Sequence, residues 1–311
     1  MGMLAWELVG AVVGAGLASG REIAAFFAQY GKWSYAGIFL AVGLLIFLSG
    51  AELPHSWIGR MPERIWRCML TLMLITTGGA MISAAGEVAA LVTPMRGAYR
   101  VGILITLLLA WFLACRSQAG LSVVSRLLLA VLGILLCLGF TISSMRGVPV
   151  IPKGNSAVFL RAAAYGGFNA ALQWPLARET DSRNKGRALI TSGLIILVML
   201  LMGNGLLQRH PVLIDEPMPF LKMLQPLGKV GYALCAASLY LAVLSTLTAC
   251  IRAQRGHISS LICMMLISLV GFSGVVEAVY PLVGMCCTVL LLAAKIMNSS
   301  AGPFLSQKDM L

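Results

Sequence analysis

Residues 10–22 read GAVVGAGLASGRE and lie inside the first long apolar run of the chain. Four glycines and two ionisable residues occupy these thirteen positions. Ordinary helix packing does not require glycines and ionisable residues together. Close helix contacts explain glycines alone, and Gly10 and Gly14 have the spacing typical of such contacts. Gly16, followed by the segment 19–22, instead favours a chain that unwinds and begins a second half-helix. The stretch therefore predicts a broken transmembrane helix.

The composition of the whole chain is that of a membrane protein. Of its 311 residues, 59% are apolar and 11% are charged, whereas a soluble domain has about 45–50% apolar and about 25% charged residues. Apolar runs of about 20 residues, the length that crosses a bilayer, alternate with short polar loops. This pattern excludes a soluble enzyme and leaves no room for an aqueous domain.

Ten apolar runs predict the fold class, which is all-α: a polytopic membrane protein of about ten transmembrane helices in a single domain, residues 1–311. The first run lacks a basic leading region and continues past any cleavage site, so we expect a retained helix rather than a signal peptide. Lys and Arg are somewhat more frequent in the loops on the side of both termini, which predicts cytoplasmic termini in a bacterial inner membrane. The runs cover residues 3–29, 34–54, 66–93, 98–115, 121–145, 156–177, 188–208, 230–251, 257–273 and 275–297.

The ten runs divide into two sets of five, which predicts an inverted repeat because an odd number per set reverses the direction of the second half. Repeat one covers about residues 1–155, repeat two about 156–298, and a short tail covers 299–311. The sixth run carries Tyr165-Gly166-Gly167-Phe168-Asn169 at the place that corresponds to the first break. We therefore predict a broken sixth helix; a packing notch with an ordinary kink at Pro175 is the alternative. A pair of interrupted helices indicates the binding site of a transporter.

Two further groups of residues could complete such a site. In the eighth run, Ala242, Ser245 and Thr246 place a carbonyl and two hydroxyl oxygens on one helix face, which suits a monovalent cation. Hydroxyls that bond back to their own helix are the alternative. Arg21 and Glu277 are costly at membrane depth when unpaired. We predict that these two residues form an ion pair that closes the pocket from outside.

Other sequence features do not indicate catalysis, a cofactor or a metal site. The eight Cys lie mostly in apolar runs without Cys-x-x-Cys spacing, which is typical of packing residues. His55, His210 and His257 lie in or beside loops and are not grouped with Cys or acids. Phosphate-loop and nucleophile motifs do not occur in the sequence. The net charge of +12 is spread among the loops, which indicates membrane topology rather than nucleic-acid binding.

These motifs resemble a known family. Residues 14–23, followed by Phe26 and Phe27, resemble the first helix of the YkvI-type bacterial membrane proteins, a branch of the amino acid–polyamine–organocation superfamily. Residues 165–169 resemble that family's sixth helix, and residues 271–273 with 279–284 resemble its last. The resemblance covers essentially the whole chain. It implies the leucine-transporter fold, a five-plus-five inverted repeat built around broken helices one and six.

The resemblance also implies which residues form the site. The first break would place Ala15, Gly16 and Ser19 against the solute, and the second would place Tyr165, Gly167, Phe168 and Asn169 there. A sodium site would use the carbonyls of Gly10 and Val13 together with Ala242, Ser245 and Thr246. Arg126, near the start of the fifth run, is a fixed cation that could replace sodium, so proton coupling is the alternative.

The function that the resemblance implies is cation- or proton-coupled symport of a small solute such as an amino acid. A non-transporting, ligand-sensing receptor subunit of the same fold, as in spore germinant receptors, is the alternative. The expected partners are a small solute and the lipid bilayer, with a sodium ion or a proton as the coupling ion. Neither the solute nor the oligomeric state follows from the sequence.

Overall fold

The computed structural model describes residues 2–51, 61–93, 95–115, 134, 154–178, 182–225 and 228–300. Within these ranges the chain is helical and contains no strand. The fifth predicted run, 121–145, lies outside the described residues except for position 134, and so do Arg126 and most of the tail. The count of ten helices and the boundary between the repeats therefore stay predictions.

The first predicted run is divided into three short helices, α1 (Gly2–Val12), α2 (Ala15–Ser19) and α3 (Arg21–Phe26), which a 3₁₀ segment (Ala28–Trp33) follows. Five helices come next in chain order: α4 (Ser34–Ser49), α5 (Met61–Val92), α6 (Ala98–Ala114), α7 (Val158–Arg178) and α8 (Ser182–Arg209). A 3₁₀ turn (Pro211–Leu213) and the short helix α9 (Pro219–Met223) connect α8 to α10 (Gly228–Ala253) and α11 (Ile258–Ser268). The last run comprises α12 (Phe272–Gly274), a π-helical segment (Val275–Val279) and α13 (Tyr280–Ser300).

Helix length and composition agree with a protein that crosses a membrane several times. Among the described residues, five helical stretches are long and apolar enough to span a bilayer: 28–49, 64–92, 184–209, 231–253 and 272–297. Helices α6 and α11 are apolar but shorter. One face of α6 exposes large apolar side chains, including Leu104, Leu108 and Phe112. Such a face suits contact with lipid rather than with water.

Helix α7 corrects one prediction from the sequence. Gly166 and Gly167 lie inside a continuous helix that also contains Pro175, so the predicted break in the sixth helix is wrong. A Cβ on Gly166 would lie 2.8 Å from the carbonyl oxygen of Ala41 in α4, and one on Gly167 would meet Thr288 in α13. The two glycines therefore let neighbouring helices approach α7, as the packing alternative proposed. The inverted repeat, which rested partly on this break, stays a prediction.

Buried amide side chains connect the helices around the first run. The Gln173 amide of α7 donates to the Leu8 carbonyl of α1 at 3.0 Å and accepts from Ser49 Oγ of α4 at 2.9 Å. Asn204 and Gln208 of α8 each donate to Ser34 Oγ, at 2.8 Å. Hydrogen bonds between membrane helices satisfy polar groups that neither lipid nor water can reach. They hold α4, α7 and α8 around the interrupted first run.

Candidate functional site

The first run is interrupted at two glycines, which confirms the predicted broken helix. Gly14 is extended (φ −90°, ψ −171°), and its amide donates to the Val12 carbonyl at 2.8 Å. In a regular helix that amide would bond to the carbonyl four residues earlier. The Gly10 carbonyl has therefore lost its helical donor. The second interruption is Gly20, whose φ of +84° lies in the left-handed region that favours glycine.

Ser19 stabilises the second interruption. Its hydroxyl donates to the Gly16 carbonyl at 2.9 Å and accepts from the Arg21 amide at 3.2 Å. The side chain is fully buried. Ser19 therefore joins the backbone on the two sides of Gly20, and its predicted contact with a solute stays a prediction.

The carboxyl group of Glu22 lies directly against Gly16. A Cβ on Gly16 would overlap this group, with the Glu22 Cγ only 2.7 Å away. Glu22 is 7% exposed, and within the described part of the chain no hydrogen bond or ion pair joins its carboxylate to another group. The site thus contains a buried acid that the sequence analysis did not assign to it.

Aromatic rings pack around the end of α3, the helix that carries this acid. Tyr165 packs edge-on against Phe26 and Phe27, with ring centroids 5.3 and 5.1 Å apart. Phe168 stacks on Tyr280 at 4.5 Å. The Tyr165 hydroxyl is buried and has no hydrogen-bond partner among the described residues. The structure therefore packs Tyr165 against the end of α3, with a hydroxyl that no described residue satisfies.

Two other predicted solute contacts are engaged elsewhere in the fold. The Asn169 side-chain amide donates to the Tyr165 carbonyl of its own helix at 3.0 Å. Gly167 faces α13 at Thr288, as described above. Ala15 begins α2, beside Gly14. Contacts of these three residues with a solute stay predictions.

The predicted cation residues of α10 lie near the first interruption. A Cβ on Gly14 would be 3.6 Å from Thr246 Oγ1, and this hydroxyl has no hydrogen-bond partner among the described residues. Ser245 Oγ donates to the Ala242 carbonyl at 3.0 Å, the back-bonded arrangement that was the alternative. A hydroxyl that donates to a carbonyl keeps its own lone pairs for a cation. Sodium binding here, together with the roles of Gly10 and Val13, stays a prediction.

Arg21 and Glu277 form the ion pair expected from the sequence. Arg21 is 5% exposed, and its Nη1 also donates to the Ile214 carbonyl at 2.5 Å and to the Glu216 carbonyl at 3.3 Å. The Glu277 side chain is 47% exposed. Arg21 thus connects α3 to the π-helical segment and to the loop before α9. Whether this contact acts as a gate stays a prediction.

Helix α9 covers the second interruption. A Cβ on Gly20 would lie 2.9 Å from the Phe220 ring, so the left-handed glycine also provides the space that this ring occupies. Phe220 is 2% exposed, and the carbonyls that bind Arg21 lie in the loop just before α9. Phe220 therefore fills the space beside Gly20 on the side of Arg21.

The apolar helices and the interrupted first run, with its buried polar groups, define a multi-pass helical membrane protein. The chain is 30% identical over 223 residues to the uncharacterized membrane protein YkvI of Bacillus subtilis (strain 168), a match that covers 63% of this chain and 63% of YkvI. This similarity confirms the resemblance to the YkvI-type membrane proteins that the sequence motifs indicated. The alignment spans less than two thirds of the length of that relative. No protein-family model matches the chain.

Among solved structures, the chain is similar to Mhp1, a nucleobase-cation-symport-1 family transporter in a closed conformation with bromovinylhydantoin bound. The two chains are 14% identical, and their TM-score is 0.48. The similarity covers 97% of this chain and 75% of Mhp1.

Proposed function

We propose that this chain is a secondary transporter in the bacterial inner membrane, with both termini in the cytoplasm. It would carry a small solute such as an amino acid together with a cation or a proton. The observation that carries the proposal is the interrupted first run, which buries Ser19, Arg21 and Glu22 in an apolar protein. Irregular backbone at membrane depth is tolerated only inside protein or beside a cavity. Ionisable residues there mark substrate and ion pathways.

Uptake into proteoliposomes tests the proposed function. Vesicles that contain the purified chain should accumulate a labelled amino acid when a sodium or proton gradient is imposed, and empty vesicles should not. Accumulation against the solute gradient is the expected result, because symport couples the two movements. Binding of the solute without any flux would contradict transport and would fit the ligand-sensing receptor subunit instead.

Gly16 supports the position of the solute site, because its backbone faces the Glu22 carboxyl group at the helix break. Gly16→Leu should abolish solute binding, since the new side chain would take the space beside this carboxyl group. Thermal-shift titration with amino acids measures the effect, and Gly43→Leu on α4, where a Cβ meets nothing within 4 Å, is the matched control. Binding that is unchanged by Gly16→Leu and Asn169→Ala together would place the site elsewhere.

Sodium coupling is proposed to depend on the oxygens of α10. Replacing both Ser245 and Thr246 by alanine should abolish the sodium dependence of uptake while the protein stays folded, because both hydroxyl ligands are removed. Thr248→Ala is the matched control, since Thr248 Oγ1 donates to the Leu244 carbonyl of the same helix at 2.7 Å and is fully buried. If sodium has no effect on the unaltered protein and uptake follows a proton gradient, this part of the proposal is wrong.

A further inference from the structure

Glu22 is the starting point, because its carboxyl group lies beside Gly16, at the proposed solute position, and no cation among the described residues pairs with it. It is 7% exposed and borders Gly16. The adjacent Arg21 points away and binds Glu277 and the loop carbonyls. On α7, Arg161 donates to the Glu277 carbonyl at 2.6 Å, and Arg178 lies over the Trp174 ring at the other end of the helix. Within the described residues, then, no Lys or Arg neutralises this acid.

A second, independent observation comes from Tyr165. Its side chain is 2% exposed, and its hydroxyl lacks any hydrogen-bond partner among the described residues. A buried hydroxyl without a hydrogen-bond partner costs free energy, which indicates that another polar group forms a hydrogen bond with it. Tyr165 packs against Phe26, which follows Glu22 by one turn on the same face of α3, so Tyr165 and the carboxyl group lie along one face of that helix.

The chemistry of this region matches a positively charged nitrogen. A carboxylate attracts an ammonium group strongly in a site that excludes water, and it repels another carboxylate there. The hydroxyl oxygen of Tyr165 can accept a second N–H bond. The nearby rings of Phe26, Phe168 and Tyr280 present aromatic surface, which also favours a cation. A solute that carries only negative charge would bring that charge against the Glu22 carboxyl group.

We propose that Glu22 binds the amino group of the solute, with the Tyr165 hydroxyl as its second partner, so that the central site selects amines. The inference rests on the proposed function and names its substrate class. It places the positive end of a zwitterion, rather than its carboxylate, against Gly16. A solute without an amino group would leave this carboxyl group without a partner among the described residues, so we expect it to bind weakly.

Binding measurements on the whole purified chain test this inference without requiring transport. The probes are the common L-amino acids and, for each one that binds, two analogues: the acid without its amino group and the amine without its carboxyl group. The amino acid and the amine should raise the unfolding temperature, and the acid should not. Glu22→Gln should weaken amine binding by at least about tenfold. Glu22→Asp keeps the charge, so it should retain the preference for amines at lower affinity.

Glu87→Gln is the matched control, because Glu87 is a half-buried acid of α5 outside this site; it should leave amine binding unchanged. If Glu22→Gln does not fold, as judged by size-exclusion chromatography, the result for Glu22→Asp decides. The inference is overturned if an amino acid and its acid analogue bind equally, or if only anionic or uncharged solutes bind. It is also overturned if sodium alone stabilises the unaltered protein through Glu22, because the ligand would then be a free ion.

The same measurements separate this inference from the proposed function. Amine binding that depends on Glu22, in vesicles that show no uptake, would support the inference and reject transport. Uptake that is unaffected by Glu22→Gln would support transport and reject the inference.

Discussion

Replacement of Gly284 by alanine is expected to destabilise the fold by about 1–3 kcal/mol, the usual cost of overpacking a close contact. The new Cβ would overlap the Ala164 carbonyl oxygen of α7, and the Ala164 Cα would be 3.2 Å away. These atoms belong to the backbone and cannot rotate aside. Helices α7 and α13 would have to separate, which would weaken the bond that Thr288 Oγ1 donates to the Ala163 carbonyl at 2.8 Å.

The unfolding temperature in detergent measures this effect, with a thiol-reactive dye as the reporter because Cys235, Cys250 and Cys287 are buried. Gly43→Ala is the matched control, since a Cβ at that position meets nothing within 4 Å. The control should melt at or slightly above the temperature of the unaltered protein, because alanine favours a helix more than glycine does. Equal unfolding temperatures for the two variants would show that the contact between α7 and α13 is not close.

The second large effect is expected at the Arg21–Glu277 ion pair, where removing one residue should harm transport more than removing both. Glu277→Gln removes the carboxylate that is ion-paired with Arg21, which is 5% exposed and keeps the loop carbonyls and the charges of nearby Asp215 and Glu216. Arg21 is buried although Glu277 is half exposed, and a buried charge that loses its ion-pair partner is costly. Initial uptake rates of the unaltered protein, Arg21→Gln, Glu277→Gln and the double variant should give a coupling energy of about 0.5–3 kcal/mol.

The partly exposed pair of Lys222 and Glu216 provides a comparison for this cycle within the loop that binds Arg21. Its two side chains are 37% and 30% exposed, and their charged atoms lie 2.6 Å apart. A pair of this exposure contributes about 0–1 kcal/mol, so its two variants should act almost additively. Additive effects at Arg21 and Glu277 as well would mean that the contact does not act as a gate.

Local backbone preference explains why the break in the first run could be predicted. The left-handed φ of Gly20 suits glycine, and the extended Gly14 interrupts the helical hydrogen bonds. The contact between Arg21 and Glu277 could also be predicted, because two unpaired charges at membrane depth are each expensive. In both cases the residues have few other favourable conformations or partners, so a single sequence is sufficient to predict the structure there.

Glu22 could not be placed in the same way. Gly16 and Glu22 are six residues apart, a spacing that puts them on different faces of a regular helix. The turn at Gly20 brings the carboxyl group back onto Gly16. A left-handed glycine between a small residue and an acid is a signal that could have indicated this contact.

The sequence by itself determined the class of protein, the interruption of the first run and the ion pair between Arg21 and Glu277. These follow from composition, from the backbone freedom of glycine and from the cost of charge at membrane depth, which can all be read from the residues themselves. Tertiary structure alone decided the role of the glycine pair in the sixth run and the position of Glu22. Glycine permits either an unwound backbone or the close approach of another helix. Helices α4 and α13 occupy the space beside Gly166 and Gly167, so α7 stays continuous there. At Gly14 the chain stays interrupted, and the buried polar residues Ser19, Arg21 and Glu22 follow this interruption.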